Sequence, residues 1–167
     1  ISTNPQHMIL RTSWVFGVHG ANFVKTMLRL GRERDSLGVV ADQFGCPTYA
    51  GHLALVIEAL IQRFRSEGTL PWGVYHCSGG SPCSWHEFAQ QVFQISVALK
   101  EQGVGGELLP DASPVVKPIA TEDYPTPAAR PQYSVLDNRK LEELLGRELP
   151  CWRDGLLDML SKLQSAS

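Results

Sequence analysis

The sequence predicts an α/β fold with a parallel sheet. Two runs, Met8 to Phe16 and Gly73 to Cys77, have the continuous apolar character of strands covered on both faces. Between and after them, apolar residues recur at helical spacing, and this alternation of strand and helix periods is the pattern of an α/β chain. No internal repeat is present.

The elements follow in order. After the first run and the glycines Gly17 and Gly20, a helix is predicted from Asn22, carrying Phe23, Met27, Leu28 and Leu30 and ending near Gly31. A short strand, Leu37 to Val40, leads into the loop Asp42 to Thr48. The next helix has the clearest stripe in the chain, Leu53, Val56, Ile57, Leu60, Ile61 and Phe64, and is expected to be buried along that face. After Gly73 to Cys77, Ser84 and Glu87 stand in the order of a capping box. They start a helix through about Leu99 with a core face of Trp85, Phe88, Val92 and Phe93. Residues 103–133 hold six prolines between Pro110 and Pro131, which predicts a long loop with one short strand near Val115 to Ile119. Asp137 is expected to cap a helix carrying Leu141, Leu144 and Leu145 that stops at Gly146. Trp152, Leu156, Met159, Leu160 and Leu163 form a final stripe.

Composition narrows the function classes. The 167 residues are 43% hydrophobic and 19% charged, as in a globular protein with one core or two small ones. Fifteen Lys and Arg against seventeen Asp and Glu, with no long block of one sign, give no electrostatic basis for binding nucleic acid or an anionic membrane. No apolar run is long enough to span a bilayer and no signal-peptide pattern opens the chain, so a cytoplasmic location is expected. Cys46, Cys77, Cys83 and Cys151 contain no Cys-x-x-Cys pair and are read as free thiols. Residue one is Ile rather than Met, so the chain is expected to be a fragment or a processed product.

Taken residue by residue, the polar candidates each carry a structural alternative. Trp14 at a strand end is either a core aromatic or the wall of a site. Asn22 is a natural helix cap. In Asp42 to Thr48, Gly45 and Pro47 fix a turn that brings backbone near a ligand, with Gln43 and Thr48 offering hydrogen bonds, or they form a turn and nothing more. Arg130 follows a proline-stiffened loop and suits a diphosphate, or is a solvated arginine. His76, Cys77, Cys83 and His86 fit no standard zinc spacing, and the Gly-Gly-Ser of residues 79–81 is not a nucleophile elbow.

Four blocks, "ILRTSWVFG…NFVKTML", "VVADQFGCPTYA", "GVYHCSGG…SWHEFA" and "YPTPAARPQYSVLDNRKL", in this order and spacing closely resemble the C-terminal half of dTDP-4-dehydrorhamnose reductases, of the extended short-chain dehydrogenase/reductase superfamily. The resemblance covers nearly the whole chain. It implies the substrate-binding portion of a Rossmann-type enzyme, with residues 1–17 a late strand of the Rossmann sheet, residues 103–133 a substrate loop, and the N-terminal dinucleotide-binding half missing. Neither a Gly-x-x-Gly-x-x-Gly fingerprint nor a Tyr-x-x-x-Lys pair occurs in the chain. No catalytic residue of that family is therefore expected here, and the fragment alone is expected to be inactive.

The resemblance also implies roles. Ligands of open α/β sheets bind beyond the carboxyl ends of the strands, so Thr12 and Ser13 border the nicotinamide of NADPH, or NADH, in the intact enzyme. No cofactor is expected on the fragment. Trp14 walls the deoxysugar, and Asn22, Phe23, Gln43, Gly45, Pro47, Thr48 and Arg130 contribute to binding the dTDP-sugar. Some family members hold a dimer-bridging metal through a carboxylate at the position of Gly51, which cannot coordinate, so no metal is expected. The intact enzyme reduces the C4 ketone of dTDP-4-dehydro-L-rhamnose in rhamnose and envelope-polysaccharide synthesis. A nucleotide-sugar epimerase or dehydratase of the same superfamily, a non-catalytic binding subunit, and a self-standing protein that binds a partner are the alternatives. The expected partners are the sugar nucleotide and the missing Rossmann half, with self-association possible through an exposed half-sheet.

Overall fold

The computed structural model describes residues 3–104, 106 and 108–163. Its elements are β1 (Met8–Arg11), β2 (Val15–Phe16), α1 (Phe23–Glu33), β3 (Ser36–Val40), β4 (Phe44–Gly45), β5 (Thr48–Tyr49), α2 (Ala50–Glu67), β6 (Gly73–His76), β7 (Cys83–Ser84), α3 (Trp85–Glu101), β8 (Val115–Ile119), a 3-10 turn at Thr121–Asp123, α4 (Arg139–Leu145) and α5 (Trp152–Lys162). The strands pair two by two. β1 lies parallel to β6, β2 to β5 and β3 to β8, whereas β4 and β7 run antiparallel. Among the described residues no helix is long and apolar enough to cross a membrane.

Local chemistry accounts for the helix ends. Asn22 Oδ1 accepts the Lys25 amide at 3.2 Å and opens α1. At α3 the capping box is complete: the Glu87 amide donates to Ser84 Oγ at 3.1 Å, and the Ser84 amide to Glu87 Oε2 at 2.7 Å. Gly146, at φ 67°, closes α4 in the left-handed conformation. Two apolar clusters result. The larger surrounds α3, whose Phe88, Val92 and Phe93 join Val24, Met27 and Leu28 of α1 and Trp152, Leu156, Met159 and Leu160 of α5. The smaller joins Val56 and Leu60 of α2 to Tyr75, Cys77, Leu141 and Leu149.

Four sequence expectations need correction. The run Met8 to Phe16 is not one strand, because Trp14 adopts a φ of 50° and separates β1 from β2, which pair with different partners. Nor is β1 covered on both faces: Met8 and Leu10 are half-buried while Ile9 and Arg11 are exposed. Helix α1 does not end near Gly31 but runs through it to Glu33. The glycine is there for contact, since a Cβ at this position would lie 2.4 Å from Phe93 Cε1. Asn138, not Asp137, occupies the cap position of α4. Its side chain reaches across to the Ser78 amide and carbonyl, while Asp137 accepts the Arg139 amide at 3.0 Å.

The fourth correction concerns α2. Val56 and Leu60 are buried as predicted, but Ile57, Ile61 and Phe64 of the same stripe are each more than 40% exposed. With Met8, Leu10 and Trp72 they line an open groove of about 470 Å³. Periodicity identified the apolar face, and half of that face lies open to the groove, with Phe64 tilted against Trp72 at 5.7 Å.

Gly31→Ala tests the α1–α3 contact. Alanine favours an exposed helix interior by roughly 0.5–1 kcal/mol over glycine. Here the new methyl group meets Phe93, a fully buried ring with no room to retreat. The expected outcome is a net loss of about 1–3 kcal/mol, read as a lower urea midpoint at unchanged slope.

Candidate functional site

The end of β1 supplies the first part of the site. A bulky residue with φ of 50° costs roughly 1–3 kcal/mol, and persists only where its surroundings fix it. Three contacts fix Trp14. Its ring stacks on Trp85 with centroids 3.5 Å apart and planes inclined by 10°. Gly45 lies on its other face: a Cβ there would sit 2.5 Å from Cε2 and 2.8 Å from both Cζ2 and Nε1, distances that place it above the ring rather than at its rim. The Trp14 carbonyl accepts the Thr48 amide at 3.2 Å.

Trp85 is the first residue of α3, held in place by the capping box. Phe23 tilts against it at 4.7 Å and stacks on Phe88 at 5.3 Å, and Phe88 meets Phe16 and Trp152. An aromatic series thus runs from the site into the core. Trp14 does not offer a free flat face to a sugar, as the sequence reading expected. Both faces are taken, and its accessible part is an edge.

Beneath this clamp the loop after β4 is locked to the end of β1. The Thr48 hydroxyl donates to the Ser13 carbonyl at 2.7 Å and accepts the Gly79 amide at 3.3 Å, while the Ser13 hydroxyl donates to the Cys46 carbonyl at 3.3 Å. A Cβ at Gly79 would lie 2.1 Å from the Pro47 carbonyl oxygen, so residues 46–48 rest directly on the turn after β6. Thr48 is buried and its hydroxyl is engaged inside the chain. It braces the site rather than presenting a free group, a correction to its expected ligand contact. Gln43 is also buried, and its Nε2 donates to Thr121 Oγ1 at 3.1 Å.

Asn22 stands at the edge of the arrangement with its side chain committed. Besides capping α1 it donates to the Gly17 carbonyl at 2.8 Å, which is the helix-cap alternative fulfilled. Thr12 is exposed just past β1. Arg130 is exposed, without an ion-pair partner among the described residues, on a segment held two residues further on by Phe44, whose amide donates to the Gln132 carbonyl at 2.7 Å. The structure therefore brings Ser13, Trp14, Phe23, Gly45, Pro47 and Thr48 together around one strand end. Gln43 joins through its bond to Thr121, Arg130 stays exposed two residues before the Gln132 anchor, and Asn22 is turned to local capping.

Trp85, Asp42 and Thr121 were not singled out for the site by the sequence. Asp42 accepts the Thr121 hydroxyl at 2.7 Å and the Thr121 amide at 3.0 and 3.1 Å. These bonds, the hydroxyl first, hold its carboxyl below its ordinary 3.8. The spacing of Trp85 within its helix marked it only as core. Partners separated by 71 and 79 positions leave no local signal.

Nucleophilic and metal chemistry find no support in these residues. Burial pushes the Cys83 thiol up to about 12 and the Cys77 thiol up to about 11, so both are protonated and inert at neutral pH. Tyr49 is pushed up to about 12 by burial and by its bond to Asp158 Oδ2 at 2.7 Å, so it stays a phenol that ties β5 to α5. No group of three or more His, Cys, Asp or Glu side chains could hold a metal among the described residues, and Gly51 packs under the Tyr49 ring.

Comparison with known proteins gives this geometry a family. Residues 1–165 match the model described as the RmlD substrate binding domain. A dTDP-4-dehydrorhamnose reductase of Aggregatibacter actinomycetemcomitans is 42% identical over 156 residues, 93% of this chain and 50% of that protein. The crystal structure of the Bacillus anthracis dTDP-4-dehydrorhamnose reductase in complex with NADP superposes with a TM-score of 0.74 at 38% identity, over 91% of this chain and 47% of that one. The Clostridium acetobutylicum orthologue gives 0.77 at 36% identity, over 98% and 51%. A UDP-glucose 4-epimerase from Thermotoga maritima, 18% identical with a TM-score of 0.56, shares the fold alone. The chain spans about half the length of the curated relatives it matches. With an aromatic clamp at a strand end, a braced glycine-proline loop and a family match over almost every residue, this chain belongs to the RmlD substrate-binding domain family and has the α/β fold of its C-terminal half-enzyme.

Proposed function

We propose that the chain is the sugar-nucleotide-binding half of a reductase that converts dTDP-4-dehydro-L-rhamnose to dTDP-L-rhamnose. The observation that carries this is the identity of 42% to a dTDP-4-dehydrorhamnose reductase across 93% of the chain, at half the relative's length. NADPH, or NADH, supplies the hydride when bound to the complete enzyme. The residues here fit the rim of such a cofactor and not its phosphates: Thr12 is exposed at the strand end and the Ser13 oxygen can still accept a bond, while the sequence holds no glycine fingerprint. The proton donor also lies outside this chain, which has no Tyr-x-x-x-Lys.

What the chain contributes is recognition. The edge of Trp14, backed by Trp85, gives the sugar a rigid apolar neighbour and keeps water from the reacting carbon. Backbone of the Gly45–Pro47 turn meets the thymine or sugar edge and Arg130 pairs with the diphosphate, while the Gln43 side chain braces Thr121 behind them. The free cysteine thiols accord with a cytoplasmic location. The half-covered groove of α2 and β1 receives the N-terminal Rossmann half.

A direct assay separates this reading from a nucleotide-sugar epimerase. The full-length protein is expected to oxidise NADPH in step with loss of dTDP-4-dehydro-L-rhamnose, whereas an epimerase consumes no reductant and a binding subunit does neither. Within that enzyme, Arg130→Ala is expected to weaken transition-state binding of the sugar nucleotide by about 2–5 kcal/mol, seen in kcat/KM. Unchanged kinetics would remove Arg130 from the site. For the isolated chain, sedimentation velocity is expected to show self-association that Ile57→Glu and Ile61→Glu suppress, because each charge enters the exposed apolar groove. Calorimetry on the same sample is expected to show no NADPH binding. A monomer with micromolar NADPH affinity would overturn the assignment of the cofactor phosphates to the other half.

A further inference from the structure

The segment between the 3-10 turn and α4 leaves and rejoins the molecule at adjacent points. At one end Thr121 donates three bonds to the Asp42 carboxylate, at 2.7, 3.0 and 3.1 Å, and its hydroxyl accepts Gln43 Nε2 at 3.1 Å. At the other, the Phe44 amide donates to the Gln132 carbonyl at 2.7 Å, and the Ser134 amide and hydroxyl donate to the Phe44 carbonyl at 2.8 and 3.1 Å. Both feet therefore stand on three consecutive residues, Asp42 to Phe44. Everything between them, residues 122–131, is exposed. Such a closed excursion with adjacent ends is an Ω-loop, and Pro125, Pro127 and Pro131 stiffen it. The residue after Phe44 is Gly45, which lies on Trp14. Loop and aromatic clamp thus share one short piece of backbone.

The two feet differ in kind. The Phe44 foot is backbone pairing, apart from the Ser134 hydroxyl, and tolerates most side chains. At the Thr121 foot the backbone pairing ends with the Ala41 amide donating to the Ile119 carbonyl at 2.9 Å. Beyond it the segment is held by side chains, chiefly one carboxylate meeting one hydroxyl and one amide in charge-assisted bonds stronger than neutral ones, with a neutral bond from Gln43. Asp42 has no cation partner among the described residues, and its carboxyl is held below its ordinary value by Thr121.

We propose that Asp42 is a positioning residue for sugar-nucleotide recognition: by latching Thr121 it closes residues 122–131 into an Ω-loop and fixes where Arg130 can reach, without itself touching the ligand. The inference rests on the reading of Arg130 as a diphosphate contact. It adds that the affinity delivered by Arg130 is set by a side-chain pair outside the binding surface. A loose loop carries the same guanidinium but must be ordered on binding, and that cost appears in KM.

The test uses the full-length protein with Asp42→Ala, Thr121→Val, the conservative Thr121→Ser, and Arg130→Ala. Hydrogen exchange is measured over residues 121–134, with α3 as the internal control, alongside KM and kcat for dTDP-4-dehydro-L-rhamnose and KM for NADPH. Asp42→Ala and Thr121→Val are expected to speed exchange of the loop about tenfold while α3 is unaffected. They are expected to raise the sugar-nucleotide KM about fivefold, by more than kcat falls, with the NADPH KM within about twofold of wild type. Thr121→Ser, which keeps hydroxyl and amide, is expected to stay near wild type in both readouts. Unchanged loop exchange in Asp42→Ala and Thr121→Val overturns the latch. Faster exchange with an unchanged sugar KM overturns the positioning role, and Arg130→Ala then shows which idea failed. If Arg130→Ala raises KM, the loop reads substrate without needing the latch. If Arg130→Ala also leaves KM unchanged, the reading of Arg130 is wrong and the inference falls with it.

Discussion

The stack of Trp14 on Trp85 is the contact on which the rest of the site depends. It holds a tryptophan in the left-handed backbone region, and that one dihedral ends β1, turns the chain and starts β2 with a different partner. Because Trp85 opens α3, the clamp is anchored to the helix at the centre of the larger core. Because Gly45 closes the other face, the loop that follows β3 is drawn onto the same strand end. One aromatic pair therefore joins a strand, a helix start and a loop whose sequence positions are far apart.

This arrangement resolves why an apolar strand runs into Arg11, Thr12, Ser13 and Trp14. The polar residues lie where β1 ends, at the carboxyl side of a parallel pair, which is where α/β proteins place their ligands. Rigidity comes from the bonds beneath, with Thr48 joining Ser13 to Gly79, and from glycines whose missing side chains permit close approach. Beside this fixed centre the proline-rich loop is anchored at both ends on Asp42 to Phe44. On the far side, α2 presents Ile57, Ile61 and Phe64 to an open groove. The chain thus has a braced polar strand end and, apart from it, an open apolar groove.

Much of the fold was legible because its signals are local. The stripes of α3 and α5, the Ser84–Glu87 box, the stop at Gly146 and the short strand Val115–Ile119 all follow from spacing within a few residues. Failures occurred where a distant partner decides. Gly31 looked like a helix end until Phe93 supplied a reason for glycine inside a helix. The α2 stripe announced an apolar face, but periodicity says nothing about what covers it. Trp14 was identified as a site residue, yet its orientation depends on Trp85 and Gly45, so the expected flat wall became an edge. Thr48 has a hydroxyl able to bond a ligand, and the structure engages it internally, while the Asn22 side chain caps α1 as its helix-start position implies.

The four tryptophans offer a direct examination of this account, since two form the proposed site, one packs on the turn behind it and one lines the apolar groove. Trp14 and Trp85 form the clamp, Trp72 lies in the apolar groove, and the Trp152 indole donates to the Ser81 carbonyl at 2.8 Å within the core. Indole N–H resonances of the full-length protein, assigned by single Trp→Phe substitutions, can be followed while dTDP-L-rhamnose is added. The account predicts that Trp14 and Trp85 shift together and saturably, with Trp72 unmoved. Saturable binding that shifts Trp72 and leaves the clamp pair unmoved would contradict it.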